Sequence, residues 1–331
     1  MKKNSIKKIF IRIARKLGFE LIDQNIFESP TLKKEFNHSL TNLEKSIVLP
    51  LGQVKLSRKI SEILIIFRTN MNIHIWDQNK KRIFEKQKVD YAKRSLISLL
   101  KTIQNLKTNF GTVNVKLTIV DNGSKEKDLD ILKNILNKEK INSNIVSHNN
   151  AEYENIIKKQ ESFETYSNLS SLLKCFEIGR SDGKDIVYFV EDDYIHLKSS
   201  LEEMVGTYER ISSQLNNEIF ICPSDYPYLY MNNEKTNLLI GNKRHWRTIQ
   251  KSLCTFMTSR NFIEKYWENF YKTCLDRNDP FENYLNKIYE KEICISPIKS
   301  LSIHMTNINS SYGLSPFIDY KTLWEENENY E

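Results

Sequence analysis

The chain has 331 residues, 40% hydrophobic and 27% charged, which predicts a soluble globular protein with no apolar run of about 18 residues to span a bilayer. Its net charge of +7 is confined to residues 1–16, where Lys2, Lys3, Lys7, Lys8, Arg12, Arg15 and Lys16 meet no acid. The remaining 42 Lys and Arg match 42 Asp and Glu, which argues against an extended phosphate-tracking surface and predicts no nucleic-acid partner. Five widely spaced cysteines, an odd number without a CxxC pair, fit reduced thiols in a cytoplasmic compartment better than a disulfide framework or a zinc site. The abundance of Lys, Asn and Ile points to an AT-rich, bacterial source.

Residues 1–18 carry Ile6, Ile9, Phe10, Ile13 and Leu17 at spacings of three and four, with Lys and Arg between them and Gly18 as a stop. This is the pattern of a basic amphipathic helix, suited to the anionic inner face of a plasma membrane or to docking on the protein's own body. Ile9 to Ile13, interrupted by Arg12, is too short for a signal-peptide core. Residues 19–60, broken at Pro30 and Pro50, read as a linker of short helices. The run SEILIIFRT, Ser61 to Thr69, predicts the first strand of a sheet and ends at Arg68, equally a phosphate ligand or a surface arginine. A polar insert follows, with a hairpin expected around Asn79 and Lys80, and His74 and Trp76 in fold roles. Leu96, Leu99, Leu100, Ile103 and Leu106 give the next helix. Val113 to Val120 then reads as a strand ending in Asp121, Asn122, Gly123 and Ser124, which is either a ligand-facing edge or a plain turn with Ser124 as helix cap.

After a helix over Leu129 to Leu136, a strand over Ile141 to Val146 and a helix over Tyr166 to Ile178 comes DIVYFVEDDY, residues 185–194. Ile186 to Val190 is apolar without a break, the mark of a strand covered on both faces at the centre of a mostly parallel sheet. Unpaired charge is costly to bury, so Glu191, Asp192 and Asp193 belong at the carboxyl edge, where open α/β sheets bind ligands. Alternation along an extended chain puts Glu191 and Asp193 on one side and Asp192 on the other. The alternative is a solvated acidic turn.

The strand with its acidic triplet resembles the DXD motif of GT-A nucleotide-sugar glycosyltransferases of the broad family-two type, with Glu191 in the place of the usual first Asp. RSLISLLKTI and the strand ending in DNGS resemble the first helix and second strand of that family. The likeness runs over residues 61–215. It implies an α/β, Rossmann-like GT-A sheet flanked by helices, with an N-terminal helical extension over 1–60. A glycosyltransferase domain would then span 61–325, its nucleotide-sugar half 61–215 and its acceptor half 216–325. The resemblance also implies Asp193 as ligand to a Mn2+ or Mg2+ ion, a late His, here His304, as a second ligand, and Arg68, Asp121, Glu191 and Asp192 as donor contacts.

In the second half, a helix is expected over Leu201 to Ile211, strands over Glu218 to Cys222 and Leu253 to Met257, and a helix capped by Ser259 and running to Cys274. The aromatic stretch PSDYPYLY leads to His245, Trp246 and Arg247, read as acceptor-binding or as ordinary packing. Asp279 and Glu282 in DRNDPFENYL fit a helix-capping box, and the resemblance implies one of them as the carboxylate that takes a proton from the acceptor hydroxyl. The tail as far as Trp324 is aromatic and reads as a lid. The expected function is an inverting, metal-dependent transfer of sugar from a nucleotide-sugar donor to a glycan or glycolipid acceptor in bacterial surface polysaccharide synthesis. The alternative is a catalytically inactive GT-A-like saccharide- or partner-binding protein.

Overall fold

A computed structural model describes residues 3–19, 21, 41–42, 45–48, 52–72, 83–139, 141–231, 234–278, 280–305 and 310–329. The expected hairpin, with His74 and Trp76, lies outside the described residues, as does Asp279.

Helix α1 spans Lys3–Lys16, and Ile9, Phe10 and Ile13 on it are all exposed. The linker is not helical where described: β1 (Thr41–Asn42), β2 (Lys45–Val48) and β3 (Gly52–Lys55) form a small antiparallel sheet. Short polar segments with isolated β-branched residues carry too little helical period to resist such pairing.

Then come β4 (Glu62–Thr69), α2 (Lys88–Asn109), β5 (Asn114–Asp121), α3 (Glu126–Asn137), β6 (Asn142–Ser147), α4 (Phe163–Asp182) and β7 (Ile186–Glu191). The second half holds β8 (Tyr194–His196), α5 (Ser200–Leu215), β9 (Phe220–Ile221), β10 (Leu238–Ile240), β11 (His245–Ile249), β12 (Phe256–Ser259), α6 (Arg260–Lys265), α7 (Trp267–Leu275), α8 (Asn283–Asn286), β13 (Cys294–Pro297), β14 (Ser302–His304) and α9 (Tyr320–Glu325).

Nine strands form one sheet in the order β10-β11-β13-β9-β12-β7-β4-β5-β6. The pairs β7-β4, β4-β5, β5-β6 and β9-β13 are parallel, whereas β12 runs antiparallel to both β7 and β9, and β11 to both β13 and β10. The expectation of a mostly parallel sheet thus holds only for its first half. Parallel neighbours need helical crossovers, which α2, α3 and α4 supply between β4, β5, β6 and β7.

The unbroken apolar runs have a simple cause. Ile63, Ile65 and Phe67 of β4 and Ile186, Tyr188 and Val190 of β7 pack on the face under α2 and α5. Leu64, Ile66, Val187 and Phe189 pack on the other face under α4. Gly179 lets α4 approach that closely, since a Cβ there would lie 2.7 Å from the Phe189 ring. The helix expected to run from Ser259 to Cys274 is instead broken at Tyr266, while Ser259 caps it as anticipated by accepting the Phe262 N–H at 3.2 Å.

The tail does not form a lid at Trp324. That ring is 4% exposed, stacked on Phe84 at 4.4 Å and covered by the Arg94 guanidinium at 4.3 Å, which locks α9 onto α2.

Candidate functional site

Two registers fix the site. Thr69 pairs with Asp121 and Arg68 with Glu191, all in parallel strands, so the ends of β5, β4 and β7 open on one rim. Asp121 and the triplet therefore stand on the same edge, where carboxyl ends of strands leave backbone and side chains without a covering layer.

The triplet divides differently from simple alternation. β7 ends at Glu191, so Asp192 and Asp193 lie in a turn and no longer obey the two-residue period. Glu191 turns toward α4, where its Oε1 accepts from Arg68 Nη2 at 2.5 Å, and Arg68 Nη1 donates to Asn168 Oδ1 at 2.5 Å. Burial acts most strongly, to lower the Arg68 pKa, but the charge and hydrogen bond of Glu191 together with the nearby Cys175 and Cys254 outweigh it, and the net shift is upward. Arg68 and Glu191, both expected as donor contacts, thus satisfy one another beneath the rim.

Asp192 and Asp193 share one face through a residue that sequence reasoning missed. Lys88, the first residue of α2, places Nζ 2.5 Å from Asp192 Oδ1 and 3.8 Å from Asp193 Oδ2. Asp192 Oδ2 accepts from Thr69 Oγ1 at 2.7 Å and from the Asn70 N–H at 3.2 Å, which fixes the carboxylate. One signal was available for Lys88: a cation in the first turn of a helix opposes the macrodipole and calls for a compensating anion.

His304 arrives by strand pairing. β14 lies antiparallel to β8 with His304 opposite Tyr194, and the Met305 N–H donates to the Asp193 carbonyl at 2.9 Å. The imidazole stacks on Tyr194 at 4.8 Å, its Nδ1 donates to the Tyr312 carbonyl at 3.0 Å, and its Nε2 stands 3.5 Å from Asp193 Oδ2. Burial pulls this imidazole down, but Asp193, Glu191 and the Tyr312 carbonyl more than offset it and the net shift is upward.

Asp121 is 2% exposed, and burial raises its pKa against the hydrogen bonds from Ser124 and Gly123. One oxygen accepts the Ser124 N–H at 3.1 Å; Oδ1 has no hydrogen-bond partner among the described residues. A buried acceptor left so is costly, by about 1–3 kcal/mol, and a ligand N–H or O–H would relieve that cost. The loops around it are tied together, Met71 N–H to Ser124 Oγ at 2.8 Å and Asn72 Nδ2 to the Gly123 carbonyl at 2.6 Å.

Of the two candidate bases, Glu282 is described. It occupies the cap position of α8 without a side-chain cap bond, and its charge acts on Cys254 and Tyr312, residues that border Glu191 and His304. The acceptor trio does not form a surface. His245 is exposed, but Trp246 is fully buried with Nε1 donating to Glu203 Oε1 at 3.1 Å. Arg247 Nη2 donates to the buried Asp225 at 3.0 Å and lies over the Tyr230 ring. Trp246 is therefore core, placed there because β11 turns that side chain inward against α5, and Arg247 is an ion-pair partner.

Among the described residues no three His, Cys, Asp or Glu side chains converge as a metal cage. Asp193 and His304 nonetheless fit a divalent cation that draws its other ligands from a diphosphate: one hard carboxylate and one imidazole whose tautomer a carbonyl sets, with Nε2 turned to the acid.

No family model matches the sequence, and no curated protein matches it. Solved structures are similar to the chain at low identity and low TM-score. S. aureus TarS 1–349 is 11% identical with a TM-score of 0.39 over 73% of this chain, which spans 59% of that one. UDP-glucose pyrophosphorylase complexed with UDP-glucose is 11% identical with a TM-score of 0.37, over 82% of this chain and 97% of that one. The glycosyltransferase GlyE of Streptococcus pneumoniae TIGR4 is 8% identical with a TM-score of 0.39, over 83% of this chain and 62% of that one.

Proposed function

We propose that the chain is a GT-A nucleotide-sugar glycosyltransferase that moves a sugar from a nucleoside-diphosphate donor to a glycan or lipid-linked acceptor in bacterial surface polysaccharide synthesis. The observation that carries this reading is the rim itself, where strand ends bring Asp121 and the acidic triplet to one edge and His304 stands 3.5 Å from Asp193. Asp193 and His304 would hold Mn2+ or Mg2+, and a bound ion supplies positive charge against the departing diphosphate. The orphaned Asp121 oxygen accepts from the base or ribose of the donor. Asp279 or Glu282 takes the acceptor's proton, which contributes about a hundredfold or more and gives inversion by in-line displacement.

Nucleoside diphosphates tested one by one by thermal shift, with and without Mn2+, check this. A true ligand at a hundred times its dissociation constant stabilises by about 2.7 kcal/mol, and no shift from any of them would sink the proposal. The second reading, a saccharide- or partner-binding relative without turnover, is favoured by the pairing of Glu191 with Arg68, and nucleotide binding without any hydrolysis of the matching nucleotide sugar would select it.

No helix among the described residues is long and apolar enough to cross a membrane. In the proposed setting the enzyme works in the cytoplasm on the inner face of the plasma membrane, with α1 as its contact. Ile9 and Phe10 are 55% and 63% exposed on a helix otherwise rich in Lys and Arg, and each basic residue near an anionic surface contributes about 1 kcal/mol. Deleting residues 1–18 is expected to abolish salt-sensitive sedimentation with phosphatidylglycerol vesicles; equal sedimentation of both forms would remove the membrane from the proposal.

A further inference from the structure

We infer that Lys88 is a resident cation of the acidic rim, and that its ammonium, shared between Asp192 and Asp193, grips the donor's diphosphate so that nucleotide binding persists without divalent metal. This rests on the glycosyltransferase reading for the identity of the ligand, and on the geometry of the rim for the role of the lysine.

Three observations lead there. First, the acids of the triplet already face permanent cations of the chain: Glu191 faces Arg68 at 2.5 Å, and Asp192 faces Lys88 at 2.5 Å, whose Nζ is also 3.8 Å from Asp193. Acids so neutralised hold a bare divalent ion weakly, because a metal must displace those partners before it gains the carboxylates. Second, Asp192 is built as a holder for the lysine. Thr69 and Asn70 donate to one of its oxygens and Lys88 to the other, so the carboxylate has no rotational freedom to turn toward a metal. Third, the ammonium remains near the surface while its surroundings are dry. The Lys88 side chain is 18% exposed and that of Asp192 7%, a setting in which charge interactions are screened far less than in water. Lys88 also opens the 22-residue helix α2, whose positive end faces the same rim, and Gln87 before it makes no side-chain cap. An ammonium has three donors and no fixed plane, so it can join two carboxylates and a phosphate oxygen in one cluster.

The test uses the full chain, UDP and GDP as probes, and calorimetric titration in EDTA and in Mn2+, with Mn2+ binding in the absence of nucleotide read separately by electron paramagnetic resonance. Wild type is expected to bind at least one nucleoside diphosphate in EDTA. Lys88→Gln should weaken that binding by roughly tenfold or more, and Lys88→Arg, which keeps the charge, should recover most of it. In the same Lys88→Gln protein, Mn2+ alone should bind more tightly than in wild type, since Asp192 and Asp193 lose their competitor. Circular dichroism and the melting temperature check that each variant is folded, and Mn2+ tightening in wild type is not needed for the comparison. Binding by wild type in Mn2+ but not in EDTA, or equal affinity of wild type and Lys88→Gln in EDTA, overturns the inference and leaves the glycosyltransferase reading standing. Failure of both nucleotides, and of every other nucleoside diphosphate in the thermal-shift series, under both conditions overturns the two together.

Discussion

Asp193→Ala is expected to reduce metal-dependent hydrolysis of the matching nucleotide sugar by about a thousandfold or more, equivalent to about 4 kcal/mol of transition-state stabilisation. The side chain is near the surface of the rim, and its neighbours His304 and Lys88 retain other partners in Tyr312 and Asp192, so the fold should survive its removal. Asp193→Asn makes the sharper comparison, because it keeps the shape and removes only the charge. Both variants should retain wild-type far-ultraviolet circular dichroism and melting temperature. Hydrolysis by Asp193→Asn within a factor of about three of wild type would show that the carboxylate carries no catalytic charge, and the metal assignment would go with it.

Trp246→Ala is expected to lower stability by about 4 kcal/mol, measured as a fall in the urea midpoint with an unchanged slope. The indole is fully buried, and it is the donor to Glu203 Oε1 at 3.1 Å, so truncation opens a cavity and also strips a hydrogen bond from an inaccessible carboxylate. Glu203 keeps the Lys243 N–H and the Thr207 hydroxyl, which limits the damage. Trp246→Phe, which preserves most of the ring but not the N–H, should cost about 1–2 kcal/mol. The competing view of Trp246 as a sugar-stacking platform predicts the reverse pattern, with an unchanged urea midpoint and a raised KM for acceptor.

Much of the first half of the chain was legible because burial on both faces leaves an unmistakable mark. The uninterrupted Ile186 to Val190 run is apolar because alternate residues feed two separate cores, and the abrupt change to Glu191 can occur only where the sheet ends. The strand ending in DNGS followed from the same logic and does bring Asp121 to the rim. His304 was reached through a family likeness, and its actual cause, the β8-β14 pairing that sets it against Tyr194, has no local signature. The second half was harder to read. His245, Trp246 and Arg247 carry residue types common to both sugar sites and cores, and only the inward turn of β11, with Gly241 so close that a Cβ would lie 2.1 Å from Trp246 Nε1, decides between them.

The sequence by itself determined the α/β class, the position of the central strand and the placement of acids at a strand end, because each follows from the cost of burying charge and the period of a strand. Only the tertiary structure decided which acids work together. Arg68 takes Glu191, while Lys88, from the far side of a polar insert, joins Asp192 to Asp193. Ion pairs between distant segments depend on where a helix begins relative to a sheet edge, and a distance in space of that kind is set by packing and carries no mark in the order of residues.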